Sequence, residues 1–290
     1  MKQKWVLWAL FGSLFVAACI KQKQEQEALA PEAPPTLTDE QEDSLLAEAD
    51  TLLLDEELAD EPLPTSADEL FDDFLFLFDH SNRFQRHRVR FPLPVTEANG
   101  DRHEIERRQW QHHSMSLGQD FCTVLWNGHR QMEMSNEMQN EARVEHIYLH
   151  SRLVEIFDFE RDSLNGQWML TAQRSVPLDD YELTNFIDFY REFATDSVFQ
   201  RRHVHDPLRF SMASEDTEEG MVQGTIDVDQ WFEFAPEMPQ AVLVNINYGQ
   251  QYHNPNRVVM QMRGFSDSMQ NLFVFRRDGG GRWRLTEFEN

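Results

Sequence analysis

The side chains in this sequence with chemistry to offer are paired histidines, a repeated glutamine-arginine step, the tryptophans near it and one internal cysteine. His112-His113 and His203-Val204-His205 are of the metal-ligating type, and alternate strand residues share a face, so His203 and His205 would address one ion. A site needs a third ligand, and no spacing supplies one: His103, Glu104, Asp206 and Glu215 are partners only in principle. The expectation is therefore strand histidines without a metal, and no cofactor. Gln85-Arg86 and Gln200-Arg201 each follow a phenylalanine. An arginine there would receive an anionic ligand head, with Trp110 and Trp231 as a stacking wall. Equally, Gln and Arg at the exit of a helix satisfy its last carbonyls and favour its dipole. Tyr248 adds a hydrogen-bond donor. Cys122 lies in the apolar run FCTVLW, where a thiol behaves as a small hydrophobe. The chain has no G-x-S-x-G, H-E-x-x-H, phosphate-binding glycine loop or paired C-x-x-C, and no catalytic residue is assigned.

These residues recur because the chain contains itself twice. Phe71, Phe74, Phe78, Phe84, Gln85, Arg86, Val89, Pro92 and Leu93 return as Phe186, Phe189, Phe193, Phe199, Gln200, Arg201, Val204, Pro207 and Leu208, at a constant offset of 115. With small insertions the match continues from Trp110 and Gly128 to Trp231 and Gly249. It ends with Arg161, Asp162, Trp168 and Leu170 on Arg277, Asp278, Trp283 and Leu285. Two copies of one domain are expected, at 69–178 and 179–290. The connection between them is short, so the copies should pack together.

Ahead of the repeats stand a basic start (Lys2, Lys4), an apolar run from Trp5 to Ala17, and Val16-Ala17-Ala18-Cys19. This pattern predicts a signal peptide over 1–18, since the run is shorter than the roughly 20 residues of a membrane-spanning helix. The quartet resembles the bacterial lipobox, in which the cysteine is acylated and becomes the new N-terminus. Cys19 then anchors the chain to a membrane of the cell envelope, and Ile20 after it favours the outer membrane. With Cys19 on lipid, Cys122 has no partner for an intramolecular disulfide. Residues 19–68 read as an acidic tether, with Lys21 and Lys23 its only basic residues. The formal net charge of −25 argues against nucleic acid as a partner.

Each copy should open with a helix, because Phe71, Phe74, Leu75 and Phe78, and Phe186, Phe189, Tyr190 and Phe193, fall at helical spacing. Ser66 with Glu69, and Asp179 with Glu182, have capping-box spacing. A Phe-Gln-Arg turn and then strands follow: 88–97 and 102–110 around Asn99-Gly100, 121–127 with 241–247, and terminal hairpins around Asn165-Gly166 and Gly279-Gly280-Gly281. A helix of about a dozen residues cannot bury its aromatic face alone, so a curved antiparallel sheet wrapped around it gives an α+β domain.

The helix, the FQ-R step, the PL strand, the QW pairs (Gln109-Trp110, Gln230-Trp231), Tyr248-Gly249-Gln250 and the W-x-L hairpin together resemble a Bacteroidetes lipoprotein family of unknown function. The resemblance implies tandem nuclear-transport-factor-2-like, or cystatin-like, domains and no assigned activity. Copy one departs from it, with Trp126-Asn127-Gly128-His129 where copy two has Asn247-Tyr248-Gly249-Gln250.

The expected function is binding of an envelope protein or small ligand without turnover, with Gln85, Arg86, Trp110, Gln200, Arg201, Trp231 and Tyr248 as contact residues. An acid-base enzyme using one repeat, the second favoured for Tyr248, and a purely structural scaffold are the alternatives. Treating cells with globomycin should leave the leader on the chain; unchanged processing, followed by immunoblot, would remove the lipid anchor.

Overall fold

The computed structural model describes residues 68–213, 221–265 and 269–290. The leader, Cys19, the acidic tether up to residue 67 and with it Ser66 lie outside the described residues, while Asp68 is buried and pairs with Arg88 at 2.8 Å. Helix α1 (Phe71–His80) buries Phe71, Phe74, Leu75 and Phe78. Each such burial contributes about 1.5–3 kcal/mol, which outweighs the marginal stability of so short a helix. Its counterpart α3 (Thr184–Thr195) buries Phe186, Ile187, Phe189, Tyr190 and Phe193. The expected capping box at Asp179 and Glu182 does not form: Leu178–Asp180 make a 3₁₀ turn, and Leu183 precedes α3 without a side-chain cap.

The Phe-Gln-Arg step is helical, not a turn. Ser81 ends α1 and accepts a hydrogen bond from the Phe84 amide at 3.1 Å, starting α2 (Asn82–His87). In the second copy Asp196 accepts from the amides of Val198 and Phe199 at 2.8 and 3.1 Å and starts α4 (Ser197–His203). An oxygen-bearing N-cap in both copies restarts the helix after a one-residue break.

The strands are β1 (Leu93–Thr96), β2 (Arg102–Ile105), β3 (Phe121–Trp126), β4 (Glu141–Tyr148), β5 (Leu153–Arg161) and β6 (Trp168–Pro177) in the first copy. The second copy has β7 (Val204–Ala213), β8 (Met221–Ile226), β9 (Val242–Asn247), β10 (Arg257–Gly264), β11 (Gln270–Arg277) and β12 (Trp283–Glu289). A short helix α5 (Val228–Phe234) precedes β9. No helix among the described residues is long and apolar enough to cross a membrane.

All twelve strands form one sheet in the order β2-β1-β6-β5-β4-β9-β3-β10-β11-β12-β7-β8. Consecutive strands usually neighbour one another, but here the third strand of each copy has crossed over. β4 pairs antiparallel with β9, from Arg143 opposite Asn247 to Tyr148 opposite Val242, and β10 pairs with β3, from Val259 opposite Trp126 to Gly264 opposite Phe121. The copies therefore meet by exchanging strands, not by stacking two finished sheets.

Two cores lie on opposite faces of this sheet. With α1 pack Val124 and Trp126 of β3, Val144 of β4, Phe157 of β5, Val244 and Ile246 of β9, and Val274 of β11. With α3 pack Leu125, Ile147, Ile156, Leu243, Met260 and Phe273 from the same strands or their neighbours. Strands buried on both faces read as continuous apolar runs, which explains FCTVLW and VLVNIN.

At the centre β3 and β9 run parallel, with Thr123 opposite Asn245. Side chains complete the seam. Asn245 Oδ1 accepts from the Leu125 amide at 3.0 Å, Gln250 Nε2 donates to the Leu125 carbonyl at 3.1 Å, and Thr123 Oγ1 donates to the Val244 carbonyl at 3.1 Å. Behind Asn245 sits Glu145, whose Oε2 accepts from Asn245 Nδ2 at 2.8 Å and from the Tyr181 hydroxyl at 2.5 Å.

Burial pushes the Glu145 carboxyl above the usual carboxylate range, against the pull of the bonds from Tyr181 and Asn245. A carboxyl raised by folding contributes stability that is whole below its unfolded pKa and is lost as pH climbs through the raised value. Glu145→Gln keeps the shape and removes that loss. It should stabilise the chain by about 1 kcal/mol or more at neutral pH and change little in acid. Urea titrations of both proteins across pH check this, and parallel profiles would show that Glu145 is not held neutral.

Candidate functional site

The sequence-predicted residues do not assemble into one ligand mouth. Gln85 is fully buried and its amide is fully used. Its Nε2 donates to the carbonyls of Phe78 and His113 at 2.9 and 2.7 Å, and its Oε1 accepts from Trp110 Nε1 and the His113 amide at 3.2 and 3.0 Å. The glutamine thus satisfies a late carbonyl of α1 and pins the 110–113 segment, with buried Trp110 beside it. Arg86 is half-buried next to it.

In the second copy the same residues part company. Gln200 reaches the Met238 sulfur at 3.7 Å, while Arg201 is exposed, pairs with Asp229 and lies 4.9 Å over the Phe232 ring. Trp231 is wholly buried and packs edge-on against Phe288 at 5.1 Å, so it forms no wall for a ligand. The QW pairs have a folding role: Gln109 Oε1 accepts from the Glu106 amide at 2.9 Å and Gln230 Oε1 from the Asp227 amide at 3.0 Å, each closing a capping box. His203 and His205 bond the carbonyls of Phe199 and Pro207 and do not converge.

Tyr248 is the candidate that reaches a cavity's polar network. β9 carries it across the seam to the α1 face, where it is buried and its ring stacks on Trp126 at 5.8 Å and 7°. Its hydroxyl donates to Asp72 Oδ1 at 2.5 Å. Arg263 of β10 donates to the same Asp72 oxygen at 2.7 Å and to the Tyr248 hydroxyl. Asp72 stands in the first turn of α1, where the helix dipole favours a negative charge. Beside this triad opens a cavity of about 230 Å³, lined by Asp72, Leu75, Cys122, Ile246 and Arg263, with Gly264 to Phe265 and Met269 to Gln270 at its rim.

Burial holds the Tyr248 phenol well above its ordinary pKa, and Asp72 adds to the rise while Arg263 opposes it. Burial likewise pushes the Cys122 thiol up, more than Arg263 draws it down. A protonated thiol and a protonated phenol are neither nucleophile nor base at neutral pH. What the cavity offers is a cation and an anion side by side on apolar walls, an arrangement suited to binding.

Asp72 and Arg263 escaped the sequence reading, although the repeat held a signal. Asp72 aligns with Ile187, in FDDF against FIDF, and Arg263 aligns with Ile147. Both isoleucines are buried in the α3 core. The charged triad on one face is thus aliphatic on the other. Asp72→Ile with Arg263→Ile should fold, and the double change should cost less than the sum of the two single changes. A double-mutant cycle by urea unfolding should give a coupling of about 1–3 kcal/mol, and strictly additive costs would dissolve the triad.

Comparison with known proteins agrees with this architecture. The model of the family "Domain of unknown function (DUF4348)" matches residues 49–290. The crystal structure of an NTF2-like protein from Bacteroides fragilis NCTC 9343 superposes with a TM-score of 0.72 at 35% identity, covering 79% of this chain and 98% of that one. No curated protein matches the chain. The strand pattern, the two helix-packed faces and these matches lead to one statement: the chain belongs to the DUF4348 family and has the α+β, NTF2-like fold.

Proposed function

We propose that this chain is an envelope lipoprotein, held to a membrane through Cys19 and an acidic tether, that binds a small polar ligand without chemical turnover. The observation that carries the binding reading is the ion pair of Asp72 and Arg263 at the wall of the 230 Å³ cavity. The pair is only part-buried, with Arg263 at 18% and Asp72 at 36% side-chain exposure, so both charges stay within reach of whatever enters the cavity. The α3 core, built from the same sequence pattern, has isoleucine at both positions.

The ligand class follows from the lining. Arg263 takes a carboxylate, phosphate or carbonyl oxygen, Asp72 takes an N–H or O–H, and Leu75 with Ile246 covers a small apolar portion. A zwitterion or a hydroxylated acid of modest size meets all three demands. The enzyme alternative has less support. Glu145, the raised carboxyl, is buried beneath Tyr181 and Asn245 and does not line this cavity.

The test is a melting-point screen of the full chain against amino acids, hydroxy acids and sugar acids. At least one should raise the melting temperature by several degrees, as expected when ligand stands about 100-fold above its Kd. The Asp72→Ile, Arg263→Ile double variant should lose that response. A melting point unmoved across the set would leave the scaffold reading in its place.

A further inference from the structure

Outside the cavity, among the described residues, one cluster of side chains brings metal-ligating atoms together. His113, His146 and Glu155 bring one potential ligand atom each within 4.8 Å of one another. His146 and Glu155 face each other directly across the β4–β5 ladder. His113 comes from the segment pinned by Gln85, which bonds both its amide and its carbonyl. The three therefore converge on a rigid frame.

The tautomer of His146 is set by its surroundings. Its Nε2 lies 2.8 Å from the Met115 carbonyl, which can only accept, so Nε2 carries a proton and in the neutral ring Nδ1 is the lone pair. That Nδ1 is buried without a hydrogen-bond partner, on a side chain with no solvent exposure, and points to Glu155 Oε2 at 3.7 Å. A second buried nitrogen without a partner, His113 Nε2, completes the set. In the neutral ring that lone pair faces the part-exposed Glu155 carboxylate, and a buried polar atom without a partner is destabilising. A cation between them answers both.

We propose that His113, His146 and Glu155 form a site for one divalent transition-metal ion, best matched by Zn²⁺, with a fourth position left for water or ligand. Two imidazoles and one carboxylate are an established donor set for four-coordinate zinc. The outer contacts are those such sites use: the Met115 carbonyl orients one imidazole, and the Tyr148 hydroxyl donates to Glu155 at 3.0 Å.

The second copy lacks the donor set, since Met262 aligns with His146, Asn271 with Glu155 and Phe234 with His113. One ion per chain is expected. The full chain, stripped with chelator and titrated with Zn²⁺ against a chromophoric competitor, should take up one tightly held ion. Co²⁺ in its place should show the visible bands of a four-coordinate site. His113→Ala and Glu155→Gln should each weaken binding about tenfold or more, and Tyr148→Phe by about 10–100-fold through loss of the outer contact. Circular dichroism on each variant separates lost ligation from lost fold. The proposal is overturned if the wild type holds no stoichiometric ion, or if folded Glu155→Gln keeps wild-type affinity. A stoichiometric ion on Asp72→Ile, Arg263→Ile protein would show the site to be independent of the ligand cavity.

Discussion

The molecule depends on a parallel seam in the middle of its sheet, where β3 and β9 lie side by side with their neighbours exchanged. Backbone groups there are buried from both faces, and an unpaired one would cost about as much as a whole hydrogen bond is worth. Asn245, Gln250 and Thr123 supply the missing partners. Gln250 also accepts from the Tyr248 amide at 2.7 Å, and Gly249, at φ +86°, lets the chain fold back so that it can. The Tyr-Gly-Gln motif is in this light a device for closing the seam. Copy one departs from it because Gln131 takes over, accepting from the Asn127 amide at 2.7 Å.

Exchange of strands has a second consequence. Each core is built by both copies, so a change in one copy is felt in the other copy's core. Tyr248 and Arg263 belong to the second copy by sequence and to the first copy's helix by contact. Glu145 belongs to the first copy and meets Tyr181 and Asn245. Duplication followed by exchange thus gave one sheet two unequal faces. The α3 face is aliphatic where the α1 face carries Asp72 and Arg263, and sulfur or amide stands where the α1 face carries His146 and Glu155. An apolar core on one side stabilises the fold, and the other side can hold polar groups at some expense of stability.

The polar groups that recur in both copies serve mainly the fold, and the groups on which the two proposals rest differ between copies. Gln85 and the QW glutamines bond backbone, and the repeated Arg161 and Arg277 lie over Trp168 and Trp283 at 5.4 and 5.6 Å. Of the shared polar residues expected at a ligand mouth, Gln85 is a folding device, bonded to the backbone of Phe78 and His113. The alternative weighed for Gln and Arg at a helix exit, satisfaction of the last carbonyls, describes Gln85. His113 was noticed as one of a pair whose third ligand no spacing provided. Its partners, His146 and Glu155, sit on a hairpin more than thirty residues away.

From sequence alone came the duplication, the aromatic helix opening each copy, the Asn-Gly and Gly-rich hairpins, the burial of Cys122 and the α+β class. All of these are local: periodicity, turn chemistry and composition act over a few residues, or repeat at one offset. Tertiary structure alone decided which strand lies beside which. A third strand can pair with the fourth strand of either copy, because the two fourth strands occupy matching places in the repeat. That single choice carries Tyr248 and Arg263 to Asp72 and places Glu145 at the seam. Contacts of that kind depend on chain closure over a hundred residues or more, and no local rule in the sequence encodes them.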